Sequence, residues 1–344
     1  MSNSARVNPL RLLLGPLWVL QLFTGAKAFS DNPIIGSRRL NRWGLHAFRV
    51  RLAEGMADER RKRLTTLVSA KDAAAFARDG FVCVRDFLPA QVFAGLRDQV
   101  MAYEGPARET WQGDTITRRY AIDNAALEAI PTLRDLLDDR RWQGLLHFIA
   151  SDRSQPLLYI QTILSHRFDA DPDPQTKLHA DTFHPTMKAW FFLTDVAEDQ
   201  GPFTYVPGSH RATPARIAWE KQKSIVGPDL ERLSARGSLR IEESELATLG
   251  LPAPSAFAVP GNTLVVADTH GFHARGPSVR PSVRVEIFAY GRRSPFLPWT
   301  GLNLLSLPGI AERRLPFFWW ISDRFPKLLR RAWVPAGLKR PADP

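Results

Sequence analysis

The sequence has a single cysteine, Cys83, so no disulfide can close within the chain and a disulfide scaffold is excluded. Set in the strand-like run GFVCVRDFL, this thiol is expected to be buried and inert. A membrane-spanning run is also lacking: the apolar stretch Leu12 to Phe23 is interrupted by Gly15-Pro16 and falls short of the roughly 20 residues a bilayer requires. There is no internal repeat, and neither half is of low complexity. With 44% hydrophobic and 24% charged residues the composition is globular, and 344 residues suffice for one substantial core with appendages. Acidic residues are in deficit, 35 against 46 lysines and arginines, for a formal net charge of +11.

That imbalance points to an anionic partner, and its distribution selects among candidates. No helix-turn-helix or zinc-finger signature supports nucleic acid, which is excluded as a partner. The basic residues concentrate at the two ends, mixed with large apolar side chains. Near the start, Leu40, Trp43, Leu45, Phe48, Val50 and Leu52 alternate with Arg38, Arg39, Arg42, Arg49 and Arg51. Near the end, Trp299, Phe317, Phe318, Trp319, Trp320, Phe325 and Trp333 alternate with Arg313, Arg314, Arg324, Lys327, Arg330 and Arg331. Both patterns suit an anionic membrane surface, with the bland alternative that the arginines are the solvated face of ordinary helices. The expected location is cytoplasmic and peripheral to the membrane. Ala26-Lys27-Ala28 has the form of a cleavage site, so an exported protein with residues 1–28 as signal peptide is the alternative.

The chemistry lies between these ends. His179 and Asp181 are two residues apart in a segment expected to be a strand, which directs an imidazole and a carboxylate to one face. Two histidines and one carboxylate make the facial triad of non-haem Fe(II), so a distal histidine is required. The buried-strand pattern Thr263–Ala267 leads to two, His270 and His273. Beyond them Arg284 projects from an alternating strand, Val283 to Phe288, and its planar fork suits a carboxylate.

In this order, His179-x-Asp181, Trp190, the segment DVAEDQGPFTYVPGSHR, His273 and Arg284, the chain from about Phe76 to Tyr290 resembles the phytanoyl-CoA dioxygenase family of Fe(II)- and 2-oxoglutarate-dependent oxygenases. The resemblance favours His273 over His270 as the third ligand. It implies that His179, Asp181 and His273 are catalytic and bind Fe(II), that Arg284 holds the distal carboxylate of 2-oxoglutarate, and that Trp190, Gln161 and Arg119 line the co-substrate pocket. Dioxygen is the second co-substrate and ascorbate an optional reductant. A carboxylate at position 181 favours hydroxylation over halogenation. Arg275 departs from the family, which often has a small hydroxyl residue there.

Short strands separated by glycine- and proline-rich turns predict a mainly β protein with flanking helices and a double-stranded β-helix, or jelly-roll, core. Helices are expected at Lys71–Arg78, from Pro89 to Tyr103 and continuously from Leu127 to Ala150, with strands at Phe81–Phe87 and Leu157–Leu164. The expected organisation is a basic, membrane-associating segment over residues 1–64, an oxygenase domain over 65–295 with a polar insertion at 212–250, and a basic-aromatic segment over 296–344. The predicted reaction is hydroxylation of an unactivated C–H bond in a lipid or other hydrophobic substrate. Its alternatives are the same chemistry on a soluble small metabolite and an inactive jelly-roll binding module.

Overall fold

A computed structural model describes residues 14–291, 293–326 and 332–343; of the residues singled out above, Leu12, Lys327, Arg330 and Arg331 lie outside them. Its strands are β1 (Phe81–Val84), β2 (Gly105–Gln112), β3 (Thr115–Ala121), β4 (Leu157–Ser165), β5 (Met187–Phe192), β6 (Phe203–Tyr205), β7 (Ser255–Ala256), β8 (Thr263–Asp268), β9 (His273–Arg275), β10 (Ser282–Gly291) and β11 (Val334–Lys339). Eight form one antiparallel sheet in the order β1-β8-β5-β10-β4-β3-β2-β11, and β7-β6-β9 form a smaller one.

The larger sheet is covered on both faces, which is why β4, LLYIQTILS, reads as a nearly continuous apolar run. On one face Val82, Leu158, Ile160, Phe191, Leu264 and Ile287 pack against Phe76, Leu96, Val100, Leu133 and Leu145 from the helices Ala70–Asp79, Ala90–Ala102, Pro131–Asp138 and Arg140–Ala150. On the other, Tyr159, Trp190, Phe192, Val265 and Phe288 meet Phe203 and Tyr205 of the small sheet. Two facing antiparallel sheets flanked by helices make the core a jelly roll, as the strand pattern predicted.

Local chemistry sets the element ends. Ser69 caps the helix Ala70–Asp79, and Gly80 ends it at φ +86°. A Cβ on Gly80 would also stand 2.5 Å from the His210 ring and the Tyr205 hydroxyl, so no other residue fits. The expected helix Leu127–Ala150 is instead three, Asn124–Ala129, Pro131–Asp138 and Arg140–Ala150, because Pro131 starts the second and the Asp139 side chain caps the third. β1 stops at Val84 rather than Phe87. Cys83 is exposed, not buried: β1 is the edge strand of the large sheet, and Cys83 alternates along it with the buried Val82 and Val84.

The larger corrections are at the ends. A solvated helix face does not describe Arg49, which is buried, as are Arg60 and Arg61 further along the same helix, Leu45–Lys62. Arg49 donates to the carbonyls of Leu22, Thr24 and Ala26, fastening residues 22–26 to this helix. Arg60 donates to Ser151, Pro295 and Leu297, and Arg61 pairs with the fully buried Asp268 at 2.9 Å. His46 of the same helix is also buried, 2.8 Å from Glu220. The segment 296–344, expected to be basic and aromatic, also supplies a strand: β11 pairs with β2 at the far edge of the large sheet.

Opening a buried ion pair on one side leaves an uncompensated charge, so Arg61→Met is expected to destabilise the protein by about 3–5 kcal/mol. Urea unfolding checks this; a loss under about 1 kcal/mol would mean that Asp268 is satisfied by its backbone donors alone.

Candidate metal centre

His179 lies in extended backbone outside any regular strand, and a two-residue antiparallel bridge to His273 sets its position. Each residue's N–H donates to the other's carbonyl, at 3.0 and 2.9 Å, and the two imidazole centroids stand 4.5 Å apart. Asp181, two residues on, points the same way, as the i, i+2 spacing predicted even without a full strand; its own N–H donates to Thr269 O at 2.9 Å. His179 Nε2 is 3.9 Å from Asp181 Oδ1 and His273 Nε2 is 3.7 Å from Oδ2. One ligand atom from each residue lies within 4.8 Å of the others, the one such group among the described residues.

The tautomers suit a metal. His179 Nδ1 donates to Lys177 O at 2.8 Å and His273 Nδ1 to Gly271 O at 2.9 Å, which leaves each Nε2 as a lone pair. His273 Nε2 is buried and accepts no hydrogen bond. Burial, then the neighbouring His273, pushes the His179 pKa down to about 3, so its ring is neutral at ordinary pH. Burial alone would raise the Asp181 pKa, but Lys188, His273 and His179 outweigh it and hold the carboxyl below the usual range. Two neutral imidazoles and a carboxylate fit a divalent first-row metal.

A cavity of about 250 Å³ opens beside this cluster, lined by Arg119, Gln161, Lys188, Trp190, Arg275 and Arg284 among others. All four pocket residues expected from the sequence are therefore together. Across β3, β4 and β10, Arg119, Gln161 and Glu286 stand in register. Arg119 Nε donates to Gln161 Oε1 and Gln161 Nε2 to Glu286 Oε1, each at 2.6 Å. Arg284 Nη1 donates to Gly201 O at 2.6 Å and Nε lies 3.0 Å from Glu286. The Arg119 guanidinium sits 4.5–4.7 Å from the ring centres of Trp333, Phe288 and Tyr159, with no carboxylate at ion-pair distance among the described residues. It stands on β3, in the hairpin with β2. Trp190 stacks on Phe203 at 4.2 Å and walls the cavity.

The other histidines stay out of the cluster. His270 is buried 3.1 Å from Glu220, His166 lies 3.2 Å from Asp114, and His210 packs on Phe76. His184 Nδ1 bonds to Pro185 O. Three contributors were not picked out from the sequence: Lys188, Glu286 and Trp333. Lys188 was the discoverable one, because it precedes Trp190 by two on one strand. Arg275, noted as a departure, is paired with Asp173 at 2.5 Å.

The family model for phytanoyl-CoA dioxygenase (PhyH) matches residues 76–226, so this part of the chain is similar to that family. A comparison with curated proteins gives no match. Similar solved structures include the non-haem alpha-ketoglutarate-dependent epimerase SnoN from nogalamycin biosynthesis, at 19% identity over 66% of this chain and 82% of that one, TM-score 0.42. HygX from Streptomyces hygroscopicus, with nickel, 2-oxoglutarate and hygromycin B bound, shares 17% identity over 65% of this chain and 87% of that one, TM-score 0.41. EctD from S. alaskensis, in its apo form, shares 18% over 70% and 84%, TM-score 0.38. At such identities and scores these likenesses say nothing of activity.

Asp181→Ala is expected to weaken Ni(II) binding by more than the roughly 10–100-fold typical of outer-shell changes, with His270→Gln within a few-fold of the parent. Equilibrium dialysis measures both; equal losses in the two would reinstate His270 as a ligand.

Proposed function

We propose that the chain is an Fe(II)- and 2-oxoglutarate-dependent dioxygenase that hydroxylates an unactivated C–H bond. The observation that carries this reading is the buried convergence of two neutral histidine Nε2 atoms and an ionised carboxylate beside an arginine-lined cavity. When bound, iron and 2-oxoglutarate supply the oxidation, in which dioxygen gives one atom to succinate, released with carbon dioxide, and one to the substrate C–H bond.

The chain's own residues bind and orient. His179, Asp181 and His273 would hold the metal, and the cavity beside them has room for the co-substrate. Arg284 would receive the distal carboxylate: Gly201 O occupies Nη1, while Nε, 3.0 Å from Glu286 as an ion pair, makes no hydrogen bond, and no partner of Nη2 is found among the described residues. Arg119 adds a second cation, oriented by Gln161 and its three rings. Trp190 and Phe203 exclude water beside His273.

We further place the protein at an anionic membrane surface in the cytoplasm, with a lipid or other hydrophobic substrate. Among the described residues no helix is long and apolar enough to cross a membrane. Support for a peripheral contact comes from large side chains that face outward: Leu17, Leu20 and Phe23 near the start, and Leu302, Leu304, Phe317, Phe318 and Trp320 near the end. Ser294, in the segment that precedes the second stretch, donates from Oγ to Phe23 O at 3.4 Å. The polar lining of Thr110, Gln112, Thr117 and Gln175 favours a second reading, in which the substrate is a soluble polar metabolite.

Anaerobic addition of Fe(II) and then 2-oxoglutarate is expected to produce a visible charge-transfer band, absent in His179→Ala and needing about tenfold or more 2-oxoglutarate in Arg284→Ala. A folded, iron-exposed protein without the band would favour the binding-module reading. Flotation with phosphatidylserine-containing vesicles tests the surface: the full chain should float and Phe317→Ser/Trp320→Ser should not. Equal partitioning of both would favour the soluble metabolite.

A further inference from the structure

Lys188 is the charged group in the cavity that neither a metal nor a 2-oxo acid accounts for. It stands on β5 two residues before Trp190, with its side chain 21% exposed, and its ammonium lies 2.6 Å from Asp181 Oδ2. Among the described residues Asp181 is its one ion-pair partner. The ammonium of Lys27 reaches the same residue from the N-terminal segment, donating to the Asp181 carbonyl.

The other cations of the cavity are differently placed: Arg119 is held by Gln161 and packed among the rings of Tyr159, Phe288 and Trp333. Arg275 is matched by Asp173 and Arg284 by Glu286, and both carboxylates sit behind the cavity wall. Asp181, by contrast, is claimed twice. A carboxylate that gives its electron density to a dication becomes a poorer partner for an ammonium, and the dication repels that ammonium as well. A largely buried ammonium deprived of its counter-ion is costly, and a lysine has three donors to offer a replacement. The space for one is the cavity that Lys188 lines.

Building on the oxygenase reading above, we propose that Lys188 is a substrate anchor: occupation of the metal centre releases it from Asp181, and it then binds an anionic oxygen group, carboxylate or phosphate, on the substrate molecule. The anchor fixes specificity by charge next to the oxidised carbon, and couples substrate affinity to metal occupancy. A lipid or a soluble metabolite satisfies it equally, provided it carries that anion.

The test uses the full chain loaded with Zn(II), which is redox-inert, and 2-oxoglutarate, with calorimetric titration of octanoate, octyl phosphate and 1-octanol. Octanoate or octyl phosphate should bind at least about tenfold more tightly than 1-octanol, the gain of one charge-assisted hydrogen bond. Whichever anion binds better identifies the head group as carboxylate or phosphate. Lys188→Met should bring the ratio to about one while retaining Zn(II), Lys188→Arg should keep it, and metal-free parent protein should lose it. That last arm needs no variant, so poor folding of Lys188→Met leaves the question decidable. An unchanged ratio in Lys188→Met, an equal preference in metal-free protein, or no preference in the loaded parent would each overturn the anchor; the first would leave Lys188 only keeping Asp181 ionised. Failure of 2-oxoglutarate to bind the Zn(II) form would count against the oxygenase reading instead, and the anion ratio measured without it would still decide the role of Lys188.

Discussion

The reciprocal hydrogen bonds between His179 and His273 are the constraint on which the site depends. They join the segment before β5 to β9, and so tie the large sheet to the small one where the ligands must meet. Because the two residues are directly opposed, their side chains leave the bridge on the same side, and Asp181 follows by period-two geometry. Two more fastenings hold the approach to His273: Tyr205 Oη donates to Asp268 O at 2.7 Å, and the His270 N–H donates to Asp268 Oδ1 at 3.1 Å. Backbone pairing rather than side-chain packing therefore sets the ligand separation, and a backbone pair holds it more tightly than a rotamer could.

Buried arginine is the second organising theme. Arg118 meets Glu109, Arg216 meets Glu220, and Arg61 meets Asp268, each at 2.7–2.9 Å. Glu220 also serves His46 and His270, so one fully buried carboxylate joins the N-terminal helix to the loop carrying His273. Such groups repay desolvation only when every partner is present. The strongly basic composition is thus partly structural, and buried arginines such as Arg49 and Arg61 have no charge to offer an external surface.

The candidate metal cluster was legible in the sequence because its signal is local. His179-x-Asp181 and the face shared by Arg284, Glu286 and Phe288 follow from strand periodicity, which survives even though His179 is only a single bridge residue. What was not legible is governed by distant partners. Nothing near Arg49 or Arg60 in the chain says that carbonyls at 22–26 or 295–297 will receive them. β11 contains Pro335 and Gly337, poor strand residues that only an edge position with a bulge tolerates. The exposure of Cys83 follows from β1 standing at a sheet edge, a property of topology rather than of GFVCVRDFL.

The outer aromatic helix and the cavity are mechanically one unit. Trp319 of the helix Ala311–Arg324 is buried against Tyr159, 6.3 Å between centroids, and over Arg108, which pairs with Asp323. Tyr159 with Phe288 and Trp333 encloses Arg119, and Phe288 continues through Trp190 and Phe203 to His273. A close-packed chain of rings transmits position with little slack. Phe317, Phe318 and Trp320 are exposed on this same helix, whose position is thereby tied to that of the candidate ligands. The same packing makes Trp319 structural while its neighbours on the helix are free to bind, a division that the sequence, with all four aromatics in one run, does not reveal.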